Sequence, residues 1–230
     1  MNLLAIDTSS VACSVALQNG GDIAERHEEQ PREHTRLLVP MIQELLQEAS
    51  VELMDLDAIV LGNGPGSFIG MRIAASVAQG LAFGSGLEIV PVSSLAAIAA
   101  QVFCEYDADE VVVTQDAHMS EVYLGIFGRG EDALPVELIP ERLHGQRPIA
   151  ELEKRGTIRI AAGFGWQRYP ELLEANKAFL DEVIELPHPR ARHLLALGAK
   201  DFARGAAIAP QDVLPAYLRQ KVAEKPTAMS

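Results

Sequence analysis

Twice in this chain a short run of branched apolar residues stops just before an aspartate, and twelve residues past each aspartate stands a turn that tolerates left-handed backbone. The first pass is Leu3–Ile6, then Asp7, then Asn19-Gly20; the second is Val111–Thr114, then Asp116, then Gly128. Such runs, bounded by turn residues, read as buried strands, and Asn-Gly is a strong hairpin signal. After Asp7, Thr8-Ser9-Ser10 makes a turn, and Val11–Leu17 and Ile23–His27 read as strands. A helix over 33–49, a strand Ala58–Leu61, a helix Phe68–Phe83, a strand Leu87–Val92 and a helix from Ser93 or Ser94 to Phe103 follow. After Asp116, Glu121–Phe127 reads as a strand, Gly128–Gly130 as a hairpin turn, Ile158–Ala161 as a strand, Pro170–Ala175 as a helix, Val183–Leu186 as a short strand and Arg190–Arg204 as the last clear helix. Two successive units of strands followed by alternating helices predict a duplicated α/β fold, with any ligand between the halves near the strand-ending turns. Only the aspartate and the turn spacing repeat, so one continuous α/β domain fits the same pattern.

The chain has 230 residues, 48% of them hydrophobic, which is ample for a core. Its formal net charge is -13. Phosphate neutralisation drives nucleic-acid affinity, so a nucleic-acid role needs a basic partner. Local basic pairs remain at Arg190 and Arg192 and at Arg219 and Lys221. Cys13 and Cys104 sit in apolar surroundings without zinc spacing and read as buried free thiols of a reducing cytosol. The apolar run after Met1 is too short for a secretory signal, and no stretch approaches the roughly 18 apolar residues of a membrane span. The expectation is a cytoplasmic protein without membrane attachment.

Asp7-Thr8-Ser9-Ser10 and Asp116 are the candidate remnants of a phosphate-binding loop, since such a turn offers N–H groups and hydroxyls. Asx and Ser hydrogen bonds that merely close a turn use the same residues. Gly62-Asn63-Gly64-Pro65-Gly66-Ser67-Phe68 joins a strand to a helix. It lacks the Lys-Ser/Thr ending of a Walker loop, and close backbone packing is the better use for Gly62, Gly64, Gly66 and Gly70. His34, His118, His188 and His193 show no zinc-helix spacing and read as solvated or capping residues. Asp116 and Glu121 read as a turn residue and a strand residue rather than an acid–base pair.

The helices carry the sharper signal. From Pro65 to Leu87 the only charged residue is Arg72. Gly70, Ala74 and Ala78 form a small-residue row, with Ile73, Val77 and Leu81 as an apolar row beside it. The helix over 33–49 repeats the excess, with Leu37, Met41 and Leu45 in one row and Leu38, Ile42 and Leu46 in another. Pro40 predicts a bend or a start inside it. A surface helix of an α/β protein has one polar face, and two wide apolar stripes side by side predict a protein–protein surface. The candidate partner-binding residues are Leu37, Leu38, Met41, Ile42, Leu45, Gly70, Ile73, Ala74, Val77, Ala78 and Leu81.

Several segments together resemble the TsaB (YeaZ) family: Ile6-Asp7-Thr8-Ser9, His34–Ile42, Pro65–Ile73 continuing to Gly80-Leu81-Ala82, Asp116–Tyr123 with His118 where the family usually has Arg, and Pro215-Ala216-Tyr217-Leu218-Arg219. The resemblance runs in order along about the whole chain. It implies an actin-like (ASKHA) α/β fold of two related halves, each with a mixed sheet and flanking helices: 1–105 with the partner-binding helices, 106–219, and a polar tail at 220–230. It implies a role in forming N6-threonylcarbamoyladenosine beside the tRNA anticodon, as a non-catalytic subunit that binds and activates TsaD, with TsaE as a third component. A homodimer when TsaD is missing, and tRNA contact only through the complex, are implied as well. The catalytic paralogue carries a His-x-x-x-His metal pair after a strand like Val90-Pro91-Val92; here Ser93-Ser94-Leu95-Ala96-Ala97-Ile98 follows, so neither metal nor catalytic residue is expected. The candidate adenosine loop, Ala162-Gly163-Phe164-Gly165, would be crowded by Phe164 and Trp166. No cofactor is expected in the isolated chain, with room left for a nucleotide at a subunit interface. The competing readings are an actin-like ATPase or kinase, and a peptidase acting on TsaD; no Ser/His/Asp or Cys/His set supports the peptidase.

Overall fold

The computed structural model describes residues 1–153 and 156–219. Strands β1 (Asn2–Asp7), β2 (Cys13–Asn19), β3 (Asp22–Glu28), β4 (Ala58–Gly62) and β5 (Glu88–Val92) form one sheet in the order β3-β2-β1-β4-β5. Strands β6 (Glu110–Asp116), β7 (Glu121–Arg129), β8 (Pro135–Gly145), β9 (Arg159–Ala162) and β10 (Glu182–Val183) form a second, in the order β8-β7-β6-β9-β10. In each sheet the first three strands are an antiparallel meander, and the last two join parallel on the far side of the first. Order and direction therefore repeat strand for strand, which decides for two related halves over a single continuous domain. Asp7 and Asp116 end the central strands of the two sheets, opposite Ser14 and Val122.

The central strands are buried on both faces and read as unbroken apolar runs for that reason. Helices α1 (His34–Ala49) and α2 (Phe68–Ser85) cover the outer face of the first sheet, over Leu4, Ile6, Val15, Ile59 and Leu61. Helix α3 (Ser94–Glu105) starts at the end of β5 yet packs on the second sheet, over Val111, Val113 and Ile160. Helix α6 (Ala191–Ala203) follows the second sheet yet packs on the inner face of the first, over Leu3, Ala5 and Val60. Helices α4 (Phe164–Arg168) and α5 (Pro170–Asn176) close the outer face of the second sheet. The chain after α6 returns to the first half: Ile208 bridges Ile89, the Gln79 side-chain amide donates to the Pro210 carbonyl (2.9 Å), and the Ala216 N–H donates to Asn63 (3.0 Å).

Several expectations change. Helix α1 runs unbroken through Pro40, which sits on its exposed side, and starts six residues earlier, at His34. Strand β7 continues through Gly128 to Arg129, so the hairpin turn falls at Gly130–Leu134. Val11 lies in the turn before β2, and the strand near Val183–Leu186 shrinks to two residues. Cys13 is buried, its thiol pushed up to about 12 by burial, but Cys104 is exposed near the end of α3. Strand β8 and helix α4 were not anticipated. Lys221 and the 220–230 tail lie outside the described residues.

Candidate functional site

The turn after β1 is closed by its own side chains. Asp7 accepts the Ser9 N–H (2.8 Å) and Ser9 hydroxyl (2.7 Å) on one oxygen and the Ser94 hydroxyl (2.6 Å) on the other. Burial raises the Asp7 carboxyl above its ordinary range, against the lowering effect of those hydrogen bonds. The Thr8 hydroxyl donates to the Gly70 carbonyl (2.7 Å), and the Ser67 N–H donates to the Ser9 carbonyl (2.6 Å). The glycine-rich loop lies directly on this turn. A Cβ on Gly62 would overlap the Asp7 carboxylate, one on Gly66 the Ser9 carbonyl, and one on Gly70 the Thr8 carbonyl. The glycines thus serve close packing, and the polar groups a phosphate would need from Thr8 and Ser9 hold the turn to the loop. Ser10 stands apart, half-buried, with its hydroxyl accepting the Ala12 N–H.

The corresponding turn after β6 is built differently. His118, Met119 and Ser120 all have φ between 53° and 61°. Asp116 accepts the His118 N–H (2.8 Å) and the Tyr169 hydroxyl (2.8 Å), and burial together with that carboxylate pushes the Tyr169 phenol up to about 12. Arg219 pins the turn from outside, donating to the Ala117 carbonyl (3.0 Å) and to Glu121 (2.7 Å). Between the two turns lies a cleft of about 240 Å³, where Phe68 and Met71 of the first half face Asp116, Tyr123 and the closing residues Tyr217 and Arg219. Arg72 spans its rim: its guanidinium lies 3.5 Å from the Phe68 ring centre and donates to the Tyr217 hydroxyl (2.9 Å). Trp166 is not in this cleft. It is buried under the outer face of the second sheet, donating to the Val112 carbonyl (3.1 Å).

The two apolar helices divide into inward and outward rows. Leu38, Met41, Ile42 and Leu45 of α1, and Gly70, Ala74 and Ala78 of α2, are buried in this chain's own core. Their expected place on a docking surface is corrected by the packing: Gly70 touches the Thr8 backbone, and Ala74 and Ala78 are 0% exposed in the same core as α1 and the sheet. Small size there lets α2 approach the first half's interior. Leu37, Ile73, Val77 and Leu81 stay half-buried at the edge. The outward row of α2 is Ile69 (69% exposed), Ser76, Gly80 and Phe83 (82% exposed). A Cβ on Gly80 would meet nothing within 4 Å. The basic pairs are largely engaged: Arg190 donates to Glu25 (2.7 Å) and Arg219 to Glu121.

A family model described as TsaD, tRNA N6-adenosine threonylcarbamoyltransferase, matches residues 23–227. The tRNA threonylcarbamoyladenosine biosynthesis protein TsaB of Escherichia coli (strain K12) is 36% identical over 98% of this chain and 97% of its own length. The chain belongs to the TsaB family. The TsaB of Haemophilus influenzae is also 36% identical, over 98% of this chain and 96% of its own length. The solved structure of YeaZ from Pseudomonas aeruginosa matches with a TM-score of 0.87 and 36% identity, covering 94% of this chain and 99% of that one. Within this TsaB-family fold, residues missed from sequence are Ile69, Phe83, Phe68 and Tyr217. The signal for the first two was available: both lie on the one-charge stretch from Pro65 to Leu87, on the side away from Ala74 and Ala78. Among the described residues no three His, Cys, Asp or Glu side chains converge as a metal site would require, and no helix is long and apolar enough to cross a membrane.

Proposed function

We propose that this chain is the non-catalytic subunit of a tRNA N6-threonylcarbamoyladenosine-forming complex, which binds TsaD and stabilises its active form. The observation that carries the reading is the outward face of α2, where Ile69 and Phe83 stand exposed beside Ile73, Val77 and Leu81 with nothing from this chain over them. Exposed apolar surface of that extent on a helix mostly free of charge fits a helical partner. The same face serves a homodimer when TsaD is absent, and TsaE joins the larger assembly. The non-catalytic assignment is supported by the α3 start, where Ser93 caps the helix and Ser94 holds Asp7, giving both serines structural tasks where the catalytic paralogue carries its metal-binding pair. The closed Asp7 turn supports it too. A nucleotide, if held, belongs at the interface between subunits. With a charge of -13, the chain reaches tRNA through its partner, in the cytoplasm. The working division is a partner-binding half at 1–105 and a second half at 106–219.

Co-purification with TsaD tests the surface. Ile69→Arg or Phe83→Arg should abolish the association while the variants stay folded; retained association by folded variants refutes it. Calorimetric titration of nucleotide into the chain alone and into its mixture with TsaD separates this reading from an ATPase or kinase, which would bind nucleotide unaided.

A further inference from the structure

A second groove, of about 490 Å³, opens between the halves where the β5–α3 junction, α6 and the β7–β8 hairpin meet. Glu141 of β8 reaches across it. The Ser93 hydroxyl donates to the Glu141 carboxyl while its oxygen accepts the Ala96 N–H (3.0 Å), so the residue that caps α3 is also the one Glu141 grips. The next residue, Ser94, donates to Asp7 and accepts the Gly64 N–H (3.1 Å). The first turn of α3 is therefore held from the first half through Ser94 and from the second half through Ser93. This is where the chain crosses from one sheet to the other.

We propose that Glu141 is a proton-operated latch between the two halves: protonated, it seats on Ser93 and holds the β8 edge against the start of α3, and ionised, it leaves the groove and frees that edge. The charged groups around it are few. Glu137 lies on the same strand, its carboxylate accepting the Glu141 N–H (3.2 Å). Helix α6 presents Lys200, Asp201 and Arg204, of which Asp201 and Arg204 pair with each other. The lining from β5, α3 and β7, namely Pro91, Val92, Ala96 and Phe127, is uncharged. An ionised Glu141 at this seat is poorly hydrated and faces a like charge, with exposed Lys200 as the remaining unpaired cation. Burial lifts its carboxyl to about 7 against the lowering effect of the Ser93 hydrogen bond, and Glu137 adds to the rise. The change of state therefore falls at ordinary cellular pH.

The test follows the Glu141 carboxyl by its 13C shift across roughly pH 5.5–8.5. Hydrogen exchange of residues 93–97 and 135–145 is read over the same range, corrected for the intrinsic pH dependence of exchange. The carboxyl should titrate at about 7, and protection of β8 should fall with the same midpoint. Glu141→Gln should keep β8 protected throughout, and Glu137→Gln should move the wild-type midpoint down. Titration of Glu141 in the ordinary carboxylate range overturns the proposal, as does a β8 transition that persists in folded Glu141→Gln. Should that variant not fold, disagreement between the two wild-type midpoints overturns it equally.

Discussion

The two halves share a strand order and share almost nothing at the ends of their central strands. In the first, the turn after Asp7 is sealed by the glycine-rich loop, and the outer layer is two long helices with an apolar face left over. In the second, the turn after Asp116 runs through three left-handed residues with His118 and Met119 exposed, and the outer layer is two short helices closed over Trp166. Strand order follows from which apolar runs can pair and be covered, so a duplicated chain keeps it. Turns and outer helices answer to local packing, and there the halves were free to diverge: one toward a tightly filled interior under a docking surface, the other toward an exposed turn tied down by Arg219.

That contrast can be broken most sharply in α2. Ala74→Arg or Ala78→Arg places a charge inside the core of the first half and should cost on the order of 3–5 kcal/mol, enough to unfold much of the protein in urea titrations. Ile69→Arg, one turn away and facing out, should leave the urea midpoint almost unmoved. Equal effects at inner and outer positions would erase the distinction between core and docking rows. The sealed turn comes next. Gly66→Ala forces a Cβ into the Ser9 carbonyl and should cost roughly 1–3 kcal/mol, whereas Gly80→Ala on the open face should stabilise by up to about 1 kcal/mol. A harmless Gly66→Ala would mean the loop is not tightly seated.

The second half's turn should respond with the opposite sign. Met119 sits at φ 53°, a conformation that disfavours side chains by about 1–2 kcal/mol, so Met119→Gly should raise the melting temperature slightly. Ser10→Gly in the first turn should not. The smallest effect is in pH. Burial lowers His144 and His188 below 6.5, so their neutral forms favour the fold above that pH, and the contribution is lost as pH falls below it. Glu141 works against this trend, because its raised carboxyl makes the folded state hold an extra proton between its ordinary value of 4.5 and about 7. Stability measured in a Glu141→Gln background should therefore fall more steeply on acidification than in the wild type; parallel curves would remove Glu141 from the account.

The strands ending at Asp7 and Asp116 were readable because fully buried strands leave unbroken apolar runs. Strand β8 was not, since Pro135, Pro140, Glu137, Glu141 and Arg142 on an edge strand mimic a loop. Both apolar helices were readable, but not which of their two adjacent rows faces inward. Gly70-Ala74-Ala78 and Ile73-Val77-Leu81 are equally apolar, and the choice is made by Thr8, distant in sequence, lying close beneath Gly70. Tyr217 and Arg219 gained their place in the cleft from the path of the chain after α6, which no local spacing encodes.

The crossing of α3 and α6 has a consequence in time. All five strands of the first sheet are complete once Val92 is made, yet the helix that covers their inner face ends at Ala203. Emerging from the ribosome, the first half waits, with one side of its sheet uncovered, for more than a hundred further residues. The second half has its own covering helix, α3, before its first strand begins. Whatever the equilibrium says about the two halves, the one synthesised first is the one finished last.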